Sequence, residues 1–152
     1  MKLVLAGVVT AAALTTATAV AAGPPLTHAQ LVARADATCS RFEPLLAAPP
    51  GIDASYGEPE FDQAWLAIFE RQRVALTALR PSAGDRAAWT RLLRTLPPIR
   101  DSFRSLTQAI EAGRPVVEWR PLSRRLSNAE RAATKAARTI GLRRCFRDTH
   151  GG

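Results

Sequence analysis

The strongest constraint on the fold is a repeating apolar pattern in the second half of the chain. Apolar residues there recur with alternating spacings of three and four along two segments. The first series is Trp89, Leu92, Leu96, Ile99, Phe103, Leu106 and Ile110, and the second is Trp119, Leu122, Leu126, Ala129, Ala133, Ala136 and Ile140. Such spacing gives an α-helix one apolar face that packs lengthwise on neighbouring helices. The chain is therefore expected to build its core from helices.

Two further segments with helical periodicity come earlier in the chain. The first is predicted from Thr27 to Ala48, because Thr27 and Gln30 form a Thr-x-x-Gln capping box. Pro44 is expected to kink or shorten this helix. The second is predicted to begin near Pro59, a favoured first-turn residue, with Glu60 and Asp62 suited to the positive helix end. Arg80-Pro81 is expected to stop it, because the residue before proline avoids the α region.

The two apolar series set the limits of the last two helices. Pro97 and Pro98 interrupt the third segment but fall between its core positions, so one long kinked helix is predicted, with Gly113 as its C-terminal cap. The start of the fourth helix stays open between Pro121 and a Ser127-x-x-Glu capping box. Gly141 followed by Leu142 is typical of a Schellman ending. Four such helices with short links predict an all-α, up-down-up-down four-helix bundle.

The first residues have the pattern of an export signal. Lys2 precedes an apolar run from Leu3 to Leu14, and small residues at Ala19 and Ala21 suit cleavage after position 21. The alternative is an uncleaved membrane anchor, since residues 3–22 carry no charge and are long enough to span a bilayer. We therefore predict a signal peptide at 1–21, a single helical domain at 22–152 with a basic tail, and an exported protein of the extracellular space or cell envelope.

Export changes the interpretation of the two cysteines. In an oxidising compartment two lone thiols usually form one disulfide. In the predicted bundle the fourth helix ends near the start of the first, which brings Cys145 toward Cys39. The bond would close a loop of 106 residues and join the last element to the first. The alternative is two unpaired cysteines, one of them buried in the core.

The order of an exported leader, a cysteine in the first helix, helices rich in Arg and Ala, and a closing Gly141-Leu142-Arg143-Arg144-Cys145 resembles a group of small proteins. The chain looks like the small exported, cysteine-paired helical proteins of high-GC actinobacteria, which are functionally uncharacterised. The resemblance covers most of the mature chain, although its closing motif is short. It implies a helical fold and export, and it carries over no catalytic residues.

Charge is distributed unevenly along the chain. Residues 22–79 hold 4 Arg and 7 acidic residues, whereas residues 80–152 hold 15 Arg, one Lys and 6 acidic residues. On the fourth helix, basic residues recur on the side opposite the apolar series, and more follow in the tail. This predicted anion-binding set, the Arg stripe, comprises Arg124, Arg131, Lys135, Arg138, Arg143, Arg144 and Arg147. Such a stripe could bind an envelope polyanion or an anionic membrane surface, or it could be only a solvated helix face.

Motifs of catalysis and cofactor binding are missing from the sequence. It contains no P-loop, no Gly-x-Gly-x-x-Gly, no Gly-x-Ser-x-Gly and no His-Glu-x-x-His, and its two histidines stand at the ends of the mature chain. We predict no catalytic residue, no metal ligand and no cofactor. Nucleic acid is disfavoured as a partner, because export puts nucleic acid out of the protein's reach and because the Arg stripe lacks interleaved aromatic residues.

These observations predict a non-enzymatic binding or structural module at the cell envelope. Its partner would be another protein, an envelope polyanion or a second copy of the chain. The alternative function is a peripheral membrane or polyanion binder acting through the Arg stripe. An enzyme with an unfamiliar site is a third class, and it would require a deep pocket with converging polar groups.

Overall fold

Residues 23–146 are described by a computed structural model, and this part of the chain is all-helical. The helices are α1 (His28–Ala47), α2 (Pro59–Thr77), α3 (Arg86–Glu111) and α4 (Val116–Ile140). The described part contains no β-sheet, only an isolated bridge between Leu26 and Pro81. The all-α prediction is confirmed. The predicted leader at 1–21 lies outside the described residues.

Local sequence signals fix several helix ends. The predicted capping box is present at α1. The Thr27 side chain accepts from the Gln30 backbone N–H, and the Gln30 side chain accepts from the Thr27 backbone N–H. At the end of α4, Gly141 has φ of +90°, and the Leu142 N–H donates to the Ala137 carbonyl. This is the predicted Schellman ending, and Leu142 is buried beneath it.

The start of α4 differs from both predicted positions. The helix begins at Val116, directly after Pro115, so Pro121 lies inside it and the Ser127 capping box does not open it. Proline in a helix removes the hydrogen bond to the carbonyl four residues earlier, here that of Val117. Val117 is 74% exposed. Water can therefore satisfy this carbonyl, which explains why the helix tolerates Pro121.

The two apolar series form the core. All members of the α3 series are buried except the half-buried Ile110, and on α4 the residues from Leu126 onward are buried except the half-buried Ala129. The small residues of α4 let a neighbour approach closely, and α3 and α4 are the most closely packed pair. α1 packs against α2, and α2 packs against α3. In contrast, α1 does not pack closely along α4.

The segment before α1 is fastened to the loop between α2 and α3. The Leu26 N–H donates to the Arg80 carbonyl at 2.8 Å. His28 Nδ1 lies 2.8 Å from an Asp85 carboxylate oxygen. A hydrogen bond from the Ser82 hydroxyl is the main cause that lowers the pKa of Asp85, and a hydrogen bond from His28 adds to this effect. α2 ends at Thr77, shortly before the predicted stop at Arg80, whose backbone carbonyl accepts from Leu26.

Candidate functional site

A cavity of about 1210 Å³ lies between the α1–α2 pair and α4. It occupies the place where α1 and α4 fail to pack along each other. Its lining residues come from all four helices and from the segment after α4. The volume exceeds the range of about 300–1,000 Å³ that is usual for small-molecule sites. The gap in the bundle is therefore large enough to hold a ligand.

One side of this cavity, the apolar wall, is built from α1, α2 and α3. It consists of Leu46, Trp65, Phe69 and Ile99, with Cys39 beside them. The Trp65 ring stacks on Phe69 at a centroid distance of 5.0 Å and on Phe103 at 3.9 Å. Phe69 and Ile99 are otherwise core residues, buried to 3% exposure each. Tight packing behind this wall holds its surface in a fixed shape.

The opposite side, the cation wall, consists of Arg131, Lys135 and Arg138 on α4 and Arg144 after it. All four side chains are exposed. The Arg131 guanidinium donates to the Asn128 amide oxygen. Within residues 23–146, no carboxylate forms an ion pair with Lys135 or Arg144. The wall therefore presents positive charge that the described part of the chain does not fully neutralise.

Two carboxylates and one amide complete the polar lining. Glu43 and Glu130 also border the cavity, so its lining includes four basic and two acidic side chains. Gln72 lies on the same face of α2 as Trp65 and Phe69 and is only 5% exposed. No hydrogen bond from its side-chain amide is formed within the described residues. A buried amide normally has a partner, so Gln72 offers unused hydrogen-bonding capacity to an occupant of the cavity.

The segment after α4 also borders the cavity. The Asp36 carboxylate accepts the backbone N–H groups of Arg143 at 3.0 Å and Arg144 at 2.8 Å. Cys39 and Cys145 lie at disulfide distance, with Cα atoms 5.1 Å apart and no free cysteine in the described part. The predicted pairing of the two cysteines is thus found in the structure. Because Cys39 and the following Phe146 both line the cavity, this link forms part of the site.

The seven residues of the Arg stripe differ in whether they line the cavity. Four of its members form the cation wall. Arg124 is exposed on α4 but does not line the cavity, and Arg143 contributes its backbone N–H to Asp36. Arg147 lies outside the described residues. Sequence reasoning missed the apolar wall and Gln72, although Trp65, Phe69 and Gln72 share the i, i+4, i+7 spacing of a single helix face.

A second polar cluster lies at the start of α2, apart from the cavity. Asp62 is 1% exposed; one carboxylate oxygen accepts the Gly57 N–H at 3.2 Å, and the other has no partner in the described structure. Burial is the main cause that raises the pKa of Asp62. Burial and the nearby Asp62 carboxylate raise the pKa of Tyr56 to about 12. Through this bond Asp62 stabilises the tight turn at Gly57, where φ is +91° and a Cβ would lie 3.3 Å from Ile110.

Residues 23–146 contain no cluster of three or more His, Cys, Asp or Glu side chains arranged to hold a metal ion. In the same range, no helix combines the length and apolarity needed to span a bilayer. Compared with known proteins, the chain matches no family model, no curated protein and no solved structure. The geometry of the cavity therefore carries the functional argument alone.

Proposed function

We propose that the chain is an exported, non-enzymatic module of the cell envelope that binds a ligand in the cavity between α1–α2 and α4. The cavity itself carries this proposal. A close-packed helical protein normally leaves few voids larger than a water molecule. An opening of about 1210 Å³ with a rigid apolar wall exposes surface that gains free energy when a ligand covers it.

The proposed architecture is an up-down-up-down bundle that is open between its first and last helices. Three features support it: each helix packs on its sequence neighbour, α1 does not pack closely along α4, and Asp36 contacts the backbone just after α4. Pro97 and Pro98 lie consecutively inside α3 and remove two helical hydrogen bonds, which favours a kink in that helix.

Export is supported by two observations. The first residues have the pattern of a cleavable leader. The cysteines at disulfide distance are compatible with an oxidising compartment, in which such bonds persist. Mass spectrometry of the protein recovered from the medium or envelope under non-reducing conditions tests both: we expect a chain that begins at residue 22 and has no free thiol. Two free thiols would contradict the proposed bond.

Ligand binding can be tested with a neutral fluorophore such as N-phenyl-1-naphthylamine, whose emission rises in apolar surroundings. We expect saturable binding by the exported, oxidised protein. Ala47→Trp places a large ring in the cavity lining and should abolish the signal. Ala37→Trp is the matched control, because Ala37 is also exposed on α1 but does not line the cavity. Equal binding by both variants would show that the fluorophore binds elsewhere.

A peripheral membrane or polyanion binder is the second candidate. The observation in its favour is that Lys135 and Arg144 are exposed without a carboxylate partner in residues 23–146. Co-sedimentation with anionic vesicles at low and high salt tests it, because screening weakens exposed charge interactions. The vesicle-binding function predicts strong binding at low salt that is lost at high salt. An absence of binding at low salt would exclude it.

A further inference from the structure

The cavity joins an apolar wall to a cation wall across a single opening, and this pairing defines the chemistry of a matching ligand. We propose that the cavity binds a long-chain fatty acid, with its acyl chain on the apolar wall and its carboxylate at the cation wall. This inference rests on the ligand-binding function proposed above and specifies the class of ligand.

The apolar wall suits an extended hydrocarbon chain. Leu46 and Trp65 are half-buried and supply most of the wall's open surface, whereas Phe69 and Ile99 are each 3% exposed and border it from the core. The Trp65 ring is held in place because it stacks on both Phe69 and Phe103. Covering such a surface with an acyl chain removes apolar area of both partners from water. The wall is already packed from behind by the core, so little ordering of the protein opposes binding.

Only one wall is apolar, and this favours a ligand with a single chain. The α4 side of the cavity carries Ser127, Thr139 and the cation wall. A second acyl chain pressed against these groups would bury polar atoms without partners, which is unfavourable. A single chain leaves the α4 side in contact with water and with the ligand's head group.

The charge balance of the lining selects an anionic head group. Lys135 and Arg144 have no carboxylate partner in residues 23–146, so the lining presents positive charge across the cavity from the apolar wall. An anionic head group on this side of the cavity is attracted by these exposed charges, and salt screens the attraction. The cation wall therefore attracts a carboxylate more than it attracts a neutral head of the same size.

Gln72 supplies an independent pointer to a polar ligand atom. The residue is only 5% exposed and borders the cavity, and its side-chain amide forms no hydrogen bond within the described part of the chain. An amide N–H₂ donates to a carboxylate oxygen, whereas a bare hydrocarbon would leave it unsatisfied. The placement of this amide on the α2 face that carries Trp65 and Phe69 puts a hydrogen-bond donor beside the apolar wall.

The test compares ligands that share a chain and differ in head group. Myristate, tetradecanol and an anionic myristoyl lysophospholipid each compete with the neutral fluorophore on the exported, oxidised protein. We expect myristate to displace the fluorophore at a concentration about tenfold lower than tetradecanol, because its head group gains a charge-assisted hydrogen bond. High salt should reduce this advantage.

Two double variants locate the head group. Lys135→Met with Arg144→Met removes two charges from the cation wall and should weaken myristate about tenfold while tetradecanol and the fluorophore bind as before. Arg124→Met with Arg125→Met is the matched control, since both arginines are exposed on α4 and neither lines the cavity. This control should bind myristate like the unchanged protein. Unchanged fluorophore binding reports that each variant is folded.

The outcomes separate this inference from the function on which it rests. Equal displacement by myristate and tetradecanol would overturn head-group recognition while leaving ligand binding intact. Tighter binding of the lysophospholipid than of myristate would overturn the assignment of a carboxylate. If the fluorophore does not bind at all, the proposed function itself fails.

Discussion

Removing the link between Cys39 and Cys145 should strongly destabilise the protein. The two residues are separated by 106 positions, so the bond closes most of the described chain into one loop. The chain-entropy relation assigns a loop of this length about 4.8 kcal/mol at 25 °C, through its effect on the unfolded state. This is a large share of the roughly 5–15 kcal/mol that stabilises a typical domain. The replacement chosen is Ala at both positions, because both side chains are buried.

Urea unfolding of the oxidised protein and of the Cys39→Ala, Cys145→Ala double variant measures the effect, with tryptophan fluorescence and circular dichroism followed together. We expect the free energy of unfolding to fall by about 3–5 kcal/mol. The fluorophore signal of the folded variant should also weaken, because Cys39 and Phe146 line the cavity. A loss below about 1 kcal/mol would refute the reasoning, since it would mean that the bond does not restrict the unfolded chain as the loop-closure relation requires.

Three further perturbations test separate parts of the structure. Asp36→Ala leaves two backbone N–H groups of the tail without their acceptor and should lower the free energy of unfolding by about 1–3 kcal/mol, measured by urea unfolding. Leu92→Ala, at a fully buried position, should cost about 2–5 kcal/mol, whereas Val74→Ala at a site that is 54% exposed should cost less than about 0.5 kcal/mol; equal losses would contradict the assigned core. Burial raises the pKa of Asp62 above its ordinary value of 3.8, so the folded carboxyl keeps its proton to higher pH than the unfolded one. The free energy of unfolding should therefore fall as the pH rises from 3.8 to the raised pKa of the folded state. Asp62→Asn should flatten this fall in a pH series of urea unfolding curves, and an unchanged profile would refute it.

Much of the fold follows from short-range patterns in the sequence. The two series with spacings of three and four identified the buried faces of α3 and α4, because helical periodicity alone decides which side chains share a face. The Thr27 capping box and the Gly141 Schellman ending fixed helix ends, because they satisfy specific backbone groups. The pairing of the cysteines followed from combining the helix order with export.

The site was harder to predict, because periodicity identifies an apolar face but not the distance between helices. The spacing of Trp65 and Phe69 on one helix face is that of ordinary core positions, yet the gap between α1 and α4 leaves them lining a cavity. Arg131 and Lys135 were assigned to an outward stripe; they are exposed, but the same gap places them at the cavity. The early start of α4 was not predicted, because a proline typically opens or breaks a helix, whereas Pro121 lies inside this one.

The most direct test of the ligand-binding account is a nuclear magnetic resonance titration of the isotope-labelled, exported protein with myristate. We expect progressive shifts of the Trp65 indole N–H and the Gln72 side-chain amide, because both border the cavity. The indole signals of Trp89 and Trp119, which do not line it, should change little. If the Trp65 and Gln72 signals stay unchanged at myristate concentrations that displace the fluorophore, the cavity is not the fatty-acid site.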